Sequence, residues 1–197
     1  MSTICTETSK LDKFMKDNLK ESRYIHSFGV EKMATELAKI YGADVEKAAF
    51  AGKYHDIAKC FDEEKMNEYI LKYDIDKKYL NNVPLAHSKV AAEILKNEYG
   101  VTDEDVLNAV RSHTTGRPDM SLLEEIVYVS DAIEENRNYP ELKSLQELAR
   151  KDLDKACLYI MNFAVEMILE KGRVVDEDTI VAKKFIEERI KRREDGK

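Results

Sequence analysis

The chain carries four histidines, His26, His55, His87 and His113, and each falls in register with an apolar helical stripe. His26 stands four residues before Val30 and seven before Met33, and His87 stands four before Ala91. His113 follows Ala109 by four and Val106 by seven, while His55 and Asp56 extend a stripe from Val45 through Ala48 and Ala49 to Gly52. Asp131 lies four beyond Val127 in the apolar stretch IVYVSDAI. Residues three, four or seven apart share a helix face, so the spacing predicts four imidazoles and two carboxylates turned inward. One buried histidine is ordinarily a satisfied core residue, and one helical aspartate ordinarily bonds an arginine or a helix end. Taken together these groups would each need a separate buried partner, since burying a polar group without one is costly. A shared metal satisfies them at once. Imidazole and carboxylate ligands suit iron, manganese, zinc or magnesium.

Cations and hydroxyls stand near the same positions. Lys59 follows Asp56 by three and His55 by four; a lysine there either snorkels to solvent or, beside a metal, binds phosphate oxygens. HTTGR, residues 113 to 117, is an ordinary turn in isolation. After an inward histidine, its two hydroxyls (Thr114 first), its glycine and Arg117 read as a phosphate-binding loop. Arg137, six residues after Asp131, lies beyond the helix end, within reach of a bound anion or of solvent.

The elements that must position these groups are helices almost throughout. Leu11, Phe14, Met15 and Leu19 mark a short first helix. A second runs from about Ser22 to Tyr41, with Val30, Met33, Leu37 and Ile40 inward and Gly42 as its stop. Asp44 caps a third, Asn82 and Pro84 start another that ends at Gly100, and Thr102 with Asp105 and Ser121 with Glu124 suggest capping boxes. After NRNYP, residues 136 to 140, one long helical pattern runs to Gly172, and a last helix spans about Asp176 to Lys191. No period-two segment, repeat or linker interrupts this, so the expectation is an all-α chain with one domain over 1–197 and a core from about 11 to 190.

A formal net charge of −7 argues against a nucleic-acid partner. The basic run KRRE near the C-terminus sits among acids as a solvated helix end. Cys5, Cys60 and Cys157 are odd in number and lack CxxC spacing, which points to reduced thiols in a cytoplasmic protein. No apolar segment is long enough to span a bilayer, and MSTICTETSK lacks a leader pattern. The oligomeric state is not written in these features.

The order His26, His55-Asp56, Asp131, set in RYIHS, AGKYHDIAK and VSDAIEENR, resembles the HD-domain superfamily of metal-dependent phosphohydrolases. RYIHSFGVEKMATELA, PLAHSKVAAEIL, VRSHTTGRPDMSLLEEIVYVSDAIEENR and LEKGRVVDEDTI make the chain similar to its YqeK-type branch, the bacterial symmetrical bis(5′-nucleosyl)-tetraphosphatases, from about Leu11 to Ile186. The resemblance implies a helical HD fold and an iron-dependent hydrolase that cuts diadenosine tetraphosphate into ADP, with ADP or GDP as retained product. It implies His26, His55, Asp56 and Asp131 as ligands of one or two iron ions, manganese or another divalent metal being the substitute. His87 and His113 would complete a second metal position or contact phosphate, and Lys59, Thr114, Arg117 and Arg137 would bind the phosphates. Asp56, Lys59, His87 and His113 are the expected catalytic groups. Ala91, Gln146 and Asp176 stand where the branch leads one to expect glycine, arginine and histidine. The rivals are another HD chemistry, on a deoxynucleoside triphosphate, a guanosine alarmone or a phosphomonoester, and a non-catalytic nucleotide or metal sensor. The blandest rival is a helical scaffold with incidental buried polar groups.

Overall fold

The computed structural model describes residues 4, 5 and 7–196; Met1–Thr3 and Thr6, part of the N-terminal stretch read for a leader, and Lys197 lie outside the described residues. Every regular element among the described residues is helical. In chain order these are α1 (Thr8–Asn18), α2 (Glu21–Tyr41), α3 (Val45–Tyr54), α4 (Glu63–Lys72), a 3-10 turn (Lys77–Tyr79), α5 (Val83–Tyr99), α6 (Glu104–Ser112), α7 (Leu122–Ile133), α8 (Leu142–Lys151), α9 (Leu153–Glu170) and α10 (Glu177–Asp195). Helix α2 packs on α3 and α7, α6 packs on α3, α5 and α7, and α9 lies against α7, α8 and α10. Fully buried Ile57, Ile94, Leu107, Ile126 and Met161 tie these layers together. No helix is long and apolar enough to cross a membrane among the described residues.

Local chemistry explains most boundaries. The Asp44 carboxylate accepts the Glu46 and Lys47 amides at the start of α3, and Ser121 with Glu124 forms a reciprocal capping box on α7. Gly42 and Gly100 end α2 and α5 in the left-handed conformation. Gly52 serves contact rather than a turn, because a Cβ there would meet the Val30 carbonyl oxygen at 3.1 Å and the Glu31 Cα at 3.2 Å. That bare surface lets α3 press against α2.

Four sequence expectations change. The cap of α6 is Asp103, whose carboxylate reaches the Asp105 and Val106 amides, not Thr102. Ile40 is 46% exposed, since it falls at the solvent edge of the last turn of α2. The long pattern after NRNYP is two helices, broken at Asp152, whose extended backbone ends α8 while its carboxylate caps α9 through the Lys155 amide. Helix α4 is an addition: Asp62 caps it, but it buries only Met66 and Ile70, too thin a stripe to read as a period.

Candidate active site

The four imidazoles meet where α2, α5 and the C-terminal ends of α3 and α6 converge. Helix α3 stops at Tyr54, so His55 and Asp56 lie on tightened turns rather than on an extension of its stripe. On an α-helix neighbouring side chains diverge by about 100°; on these turns both face the same centre. His113 likewise follows directly on α6. The ring of His55 donates from Nδ1 to the Gly52 carbonyl at 2.7 Å, His87 to Pro84 at 2.9 Å and His113 to Val110 at 2.7 Å. Each carbonyl lies three residues back and takes the Nδ1 proton, so that in the neutral ring Nε2 carries the lone pair aimed inward. His26 obeys the same logic through a side chain: its Nδ1 meets Glu134 Oε1 at 3.1 Å. Glu134 is itself buried, with its other oxygen accepting the Asn136 amide and side-chain nitrogens at 2.7 and 2.9 Å.

The freed nitrogens face carboxylates. His26 Nε2 lies 2.9 Å from Asp131 Oδ1, and His55 Nε2 lies 3.7 Å from the same oxygen and 3.5 Å from Asp56 Oδ2. Asp56 Oδ1 stands 3.2 Å from His87 Nε2 and 3.4 Å from His113 Nε2. None of these approaches has hydrogen-bond geometry at His26 Nε2, His55 Nε2 or Asp56 Oδ1, which are buried without a partner. Cations ring the opening, each about a third exposed: Arg23 donates to Asp56 Oδ2 at 3.2 Å, Lys59 Nζ lies 3.0 Å from His87 Nε2, and Arg137 grips Asp131. Arg137 uses Nη2 on the Asp131 carboxylate and Nε on its backbone oxygen. The Thr114 hydroxyl lies 3.2 Å from His87 Nε2.

The electrostatics favour a divalent cation. Burial, with the Lys59 charge, pushes His87 below its ordinary imidazole value, and burial takes His113 down to about 4, so both rings are neutral near pH 7. Burial would lower His55 as well, but the Asp56 carboxylate outweighs it and raises the ring. Burial opposes the charges on Asp56 and Asp131, yet His55 and Lys59 around the first, and His26, His55 and Arg137 around the second, hold both carboxyls well below the usual range. Anionic carboxylates and bare imidazole nitrogens, several unpartnered, form a donor set for a hard or borderline metal. Two overlapping groups have ligand atoms within 4.8 Å of one another: His26, His55 and Asp131, and His55, Asp56 and His113.

Nine of the ten residues singled out by spacing thus meet, directly or through one neighbour, around this centre. Arg117 does not. Its guanidinium is locked on Glu124 at 2.6 Å through both Nε and Nη2, because Gly116 turns left-handed and swings it toward the α7 cap. There it lines a separate cleft with Lys89, Arg111 and Asp178. Two residues of the site escaped the spacing argument, Arg23 and Glu134. Each lies three residues from a member of the set, Arg23 before His26 and Glu134 after Asp131, so helical proximity was the available signal.

The HD domain family model matches residues 23–136, which contain His26 through Asp131. A symmetrical bis(5′-nucleosyl)-tetraphosphatase of Bacillus subtilis (strain 168) is 40% identical over 168 residues, 85% of this chain and 90% of that protein. One from Halalkalibacterium halodurans is 39% identical over 84% of this chain and 89% of that protein. The crystal structure of a predicted HD superfamily hydrolase involved in NAD metabolism from Clostridium acetobutylicum superposes with a TM-score of 0.88 at 38% identity, covering 94% of this chain and 99% of that one. The chain belongs to the HD-domain family and, within it, to the group that the symmetrical tetraphosphatases form.

Proposed function

We propose that this chain is a metal-dependent phosphohydrolase that cuts diadenosine tetraphosphate at its central anhydride, giving two ADP. The observation that carries the reading is the convergence of bare Nε2 atoms from His26, His55 and His113 with the Asp56 and Asp131 carboxylates. The mixed nitrogen and oxygen donors support iron, one or two ions, with manganese as the next candidate. His26, His55, Asp56 and Asp131 would hold one ion, and His87 and His113 would hold a second, because the single free nitrogen of His55 can serve only one of them. A divalent ion held there would neutralise phosphoanhydride charge and make water acidic enough to act near neutral pH.

The remaining steps fall to the protein. Asp56 accepts from Arg23 on Oδ2 and keeps Oδ1 free to orient the attacking water. Lys59, beside His87 at the opening, offsets charge that grows on the phosphoryl oxygens in the transition state. Thr114 and the outer edge of Arg137 hold the flanking phosphates. ADP leaves as a stable anion, which lessens the need for a strong general acid. One nucleoside enters a cleft of about 440 Å³ bordered by Thr114, Pro84, Leu85, Ile168 and Val174, on the His87 side of the centre. Retention of ADP or GDP as product and a cytoplasmic location belong to the same reading.

The test is anaerobic purification, metal analysis and chromatography of partially converted diadenosine tetraphosphate. ADP as sole product is expected. ATP plus AMP would sink the symmetrical register, and release of inorganic triphosphate from deoxynucleotides would move the chain to another HD chemistry.

A further inference from the structure

The contacts of the centre form a row with two ends. Arg137 holds Asp131; Asp131 faces His26 and His55; Asp56 stands between His55 and the pair His87 and His113; Thr114 meets His87. The cleft assigned above to one nucleoside adjoins the Thr114 end. A second cavity, of about 250 Å³, adjoins the other end, where Arg137 and Ala132 form part of its wall. Its remaining wall is mostly aromatic and aliphatic, Tyr139, Leu145, Tyr159, Ile160 and Phe163, with Glu141 as the one acidic side chain. Leu145 and Ile160 are buried at its floor, whereas Tyr159 and Phe163 remain 43% and 50% exposed on α9. The Tyr139 hydroxyl donates to the Ala132 carbonyl at 2.9 Å, which pins its ring beside Asp131. The hydrophobic core does not require two large rings left half in solvent beside an arginine.

We propose that this cavity is a nucleobase subsite for the second end of a dinucleoside polyphosphate. The inference rests on the functional reading above and deepens it: the departing half is recognised rather than left in solvent. Three observations support this occupant. The substrate has two identical ends, and the row of cations and ligands has a cavity at each of its ends. Arg137 joins cavity and centre through one side chain, so a phosphate at its guanidinium places the attached nucleoside at the cavity mouth. Exposed rings offer faces on which a base stacks, a contact tolerant of base identity. Both cavities line one helix, α9, with Ile160 and Phe163 on one and Ala164 and Ile168 on the other.

The test reads binding directly on the metal-loaded protein. The probe is a diethenoadenosine tetraphosphate whose central bridging oxygen is replaced by methylene, and the chain's lack of tryptophan leaves the probe's fluorescence clear. Tyr159→Ala and Phe163→Ala should each weaken probe affinity on the order of 10-fold, and Tyr159→Phe, which keeps the ring, should restore most of it. Inorganic tripolyphosphate, which has no base, should compete with unchanged affinity in every variant. Equal probe affinity in wild type and both alanine variants would overturn the subsite. So would a loss of tripolyphosphate affinity in step with the probe, which would mark a structural defect. If ring-dependent binding holds while the unmodified dinucleotide yields products other than ADP, the subsite stands and the symmetrical reaction falls.

Discussion

His87 and His113 face each other Nε2 to Nε2 at 3.0 Å, while both rings donate from Nδ1 to backbone carbonyls. Two lone pairs at that separation repel unless a cation lies beside them, and Asp56 Oδ1 adds a third electron-rich atom within 3.4 Å. Lys59 supplies one such charge at 3.0 Å from His87 Nε2. The arrangement is more stable with a divalent ion present.

A saturating metal should therefore raise the melting temperature by about 5–10 °C relative to chelator-treated protein, as follows from about 2.7 kcal/mol at a hundredfold excess over Kd. Calorimetry on metal-loaded and stripped samples measures this. In His87→Ala and His113→Ala the metal-dependent increment should shrink to less than half, with turnover down about 100-fold and the stripped protein melting near the wild-type value. A large fall in stability at normal turnover would make these histidines core residues rather than site residues.

Glu134 gives a second prediction, because the carboxylate that fixes the tautomer of a ligating histidine is itself a determinant of metal affinity. Its approach to His26 depends on Gly29: a Cβ there would sit 2.1 Å from Glu134 Oε2. Gly to Ala inside a helix usually stabilises by about 1 kcal/mol. At this position it should instead displace Glu134. Gly29→Ala and Glu134→Gln should both weaken metal binding about 10–100-fold in competition with a chromophoric chelator, with helical circular dichroism retained. Wild-type affinity in both variants would remove the assigned role of Glu134.

These residues also show what the sequence disclosed and what it hid. The inward histidines were legible because helical period alone fixes a face, and the conclusion survived even where His55 and Asp56 left the helix, since turns at the helix end kept both directed inward. Arg117 defeated the same argument, as a left-handed Gly116 redirects the chain and the Glu124 carboxylate then captures the side chain. Asp152 was invisible because an aspartate between two apolar stripes reads as a solvent-facing residue of one helix. In the fold its carboxylate caps α9 and pairs with Arg193 at 2.6 Å. Helix existence followed from period; breaks and captures depended on partners far along the chain.

The C-terminal helix is held by an uneven charge cluster that makes stability depend on pH. Arg189 of α10 pairs with buried Glu125 of α7 and with Asp154 of α9, the latter at 2.6 Å. Burial pushes Glu125 up to about 7, with Arg189 only partly opposing it. A carboxyl raised on folding binds a proton that the unfolded chain releases above its ordinary pKa near 4.5. Its contribution is therefore complete below about 4.5 and is lost as pH rises through about 7, by an amount on the order of 3 kcal/mol. Urea denaturation at pH 5 and pH 8 should show Glu125→Gln gaining stability relative to wild type over that interval. A constant difference between the two proteins would mean Glu125 is ionised throughout.

Arg137 connects the proposed centre to the proposed grip on substrate, and its geometry separates charge from shape. Nε is engaged on the Asp131 carbonyl at 2.8 Å and Nη2 on the Asp131 carboxylate, so the Nε–Nη2 edge of the fork is fixed and Nη1 is left for a phosphate. A lysine keeps the charge but presents a single ammonium that cannot reach both Asp131 oxygens and a phosphate together. Asp131 retains His26 in either variant, so metal content should stay near that of wild type. Arg137→Lys should raise the KM for diadenosine tetraphosphate on the order of 10-fold and weaken ADP product inhibition in parallel; Arg137→Ala should do more of both, since it loses a charge-assisted contact as well as the fork. The decisive measurement is the ADP inhibition constant determined beside the metal stoichiometry. Loss of metal with unchanged ADP affinity would make Arg137 a support for Asp131 alone, and its assignment to the phosphates would be withdrawn.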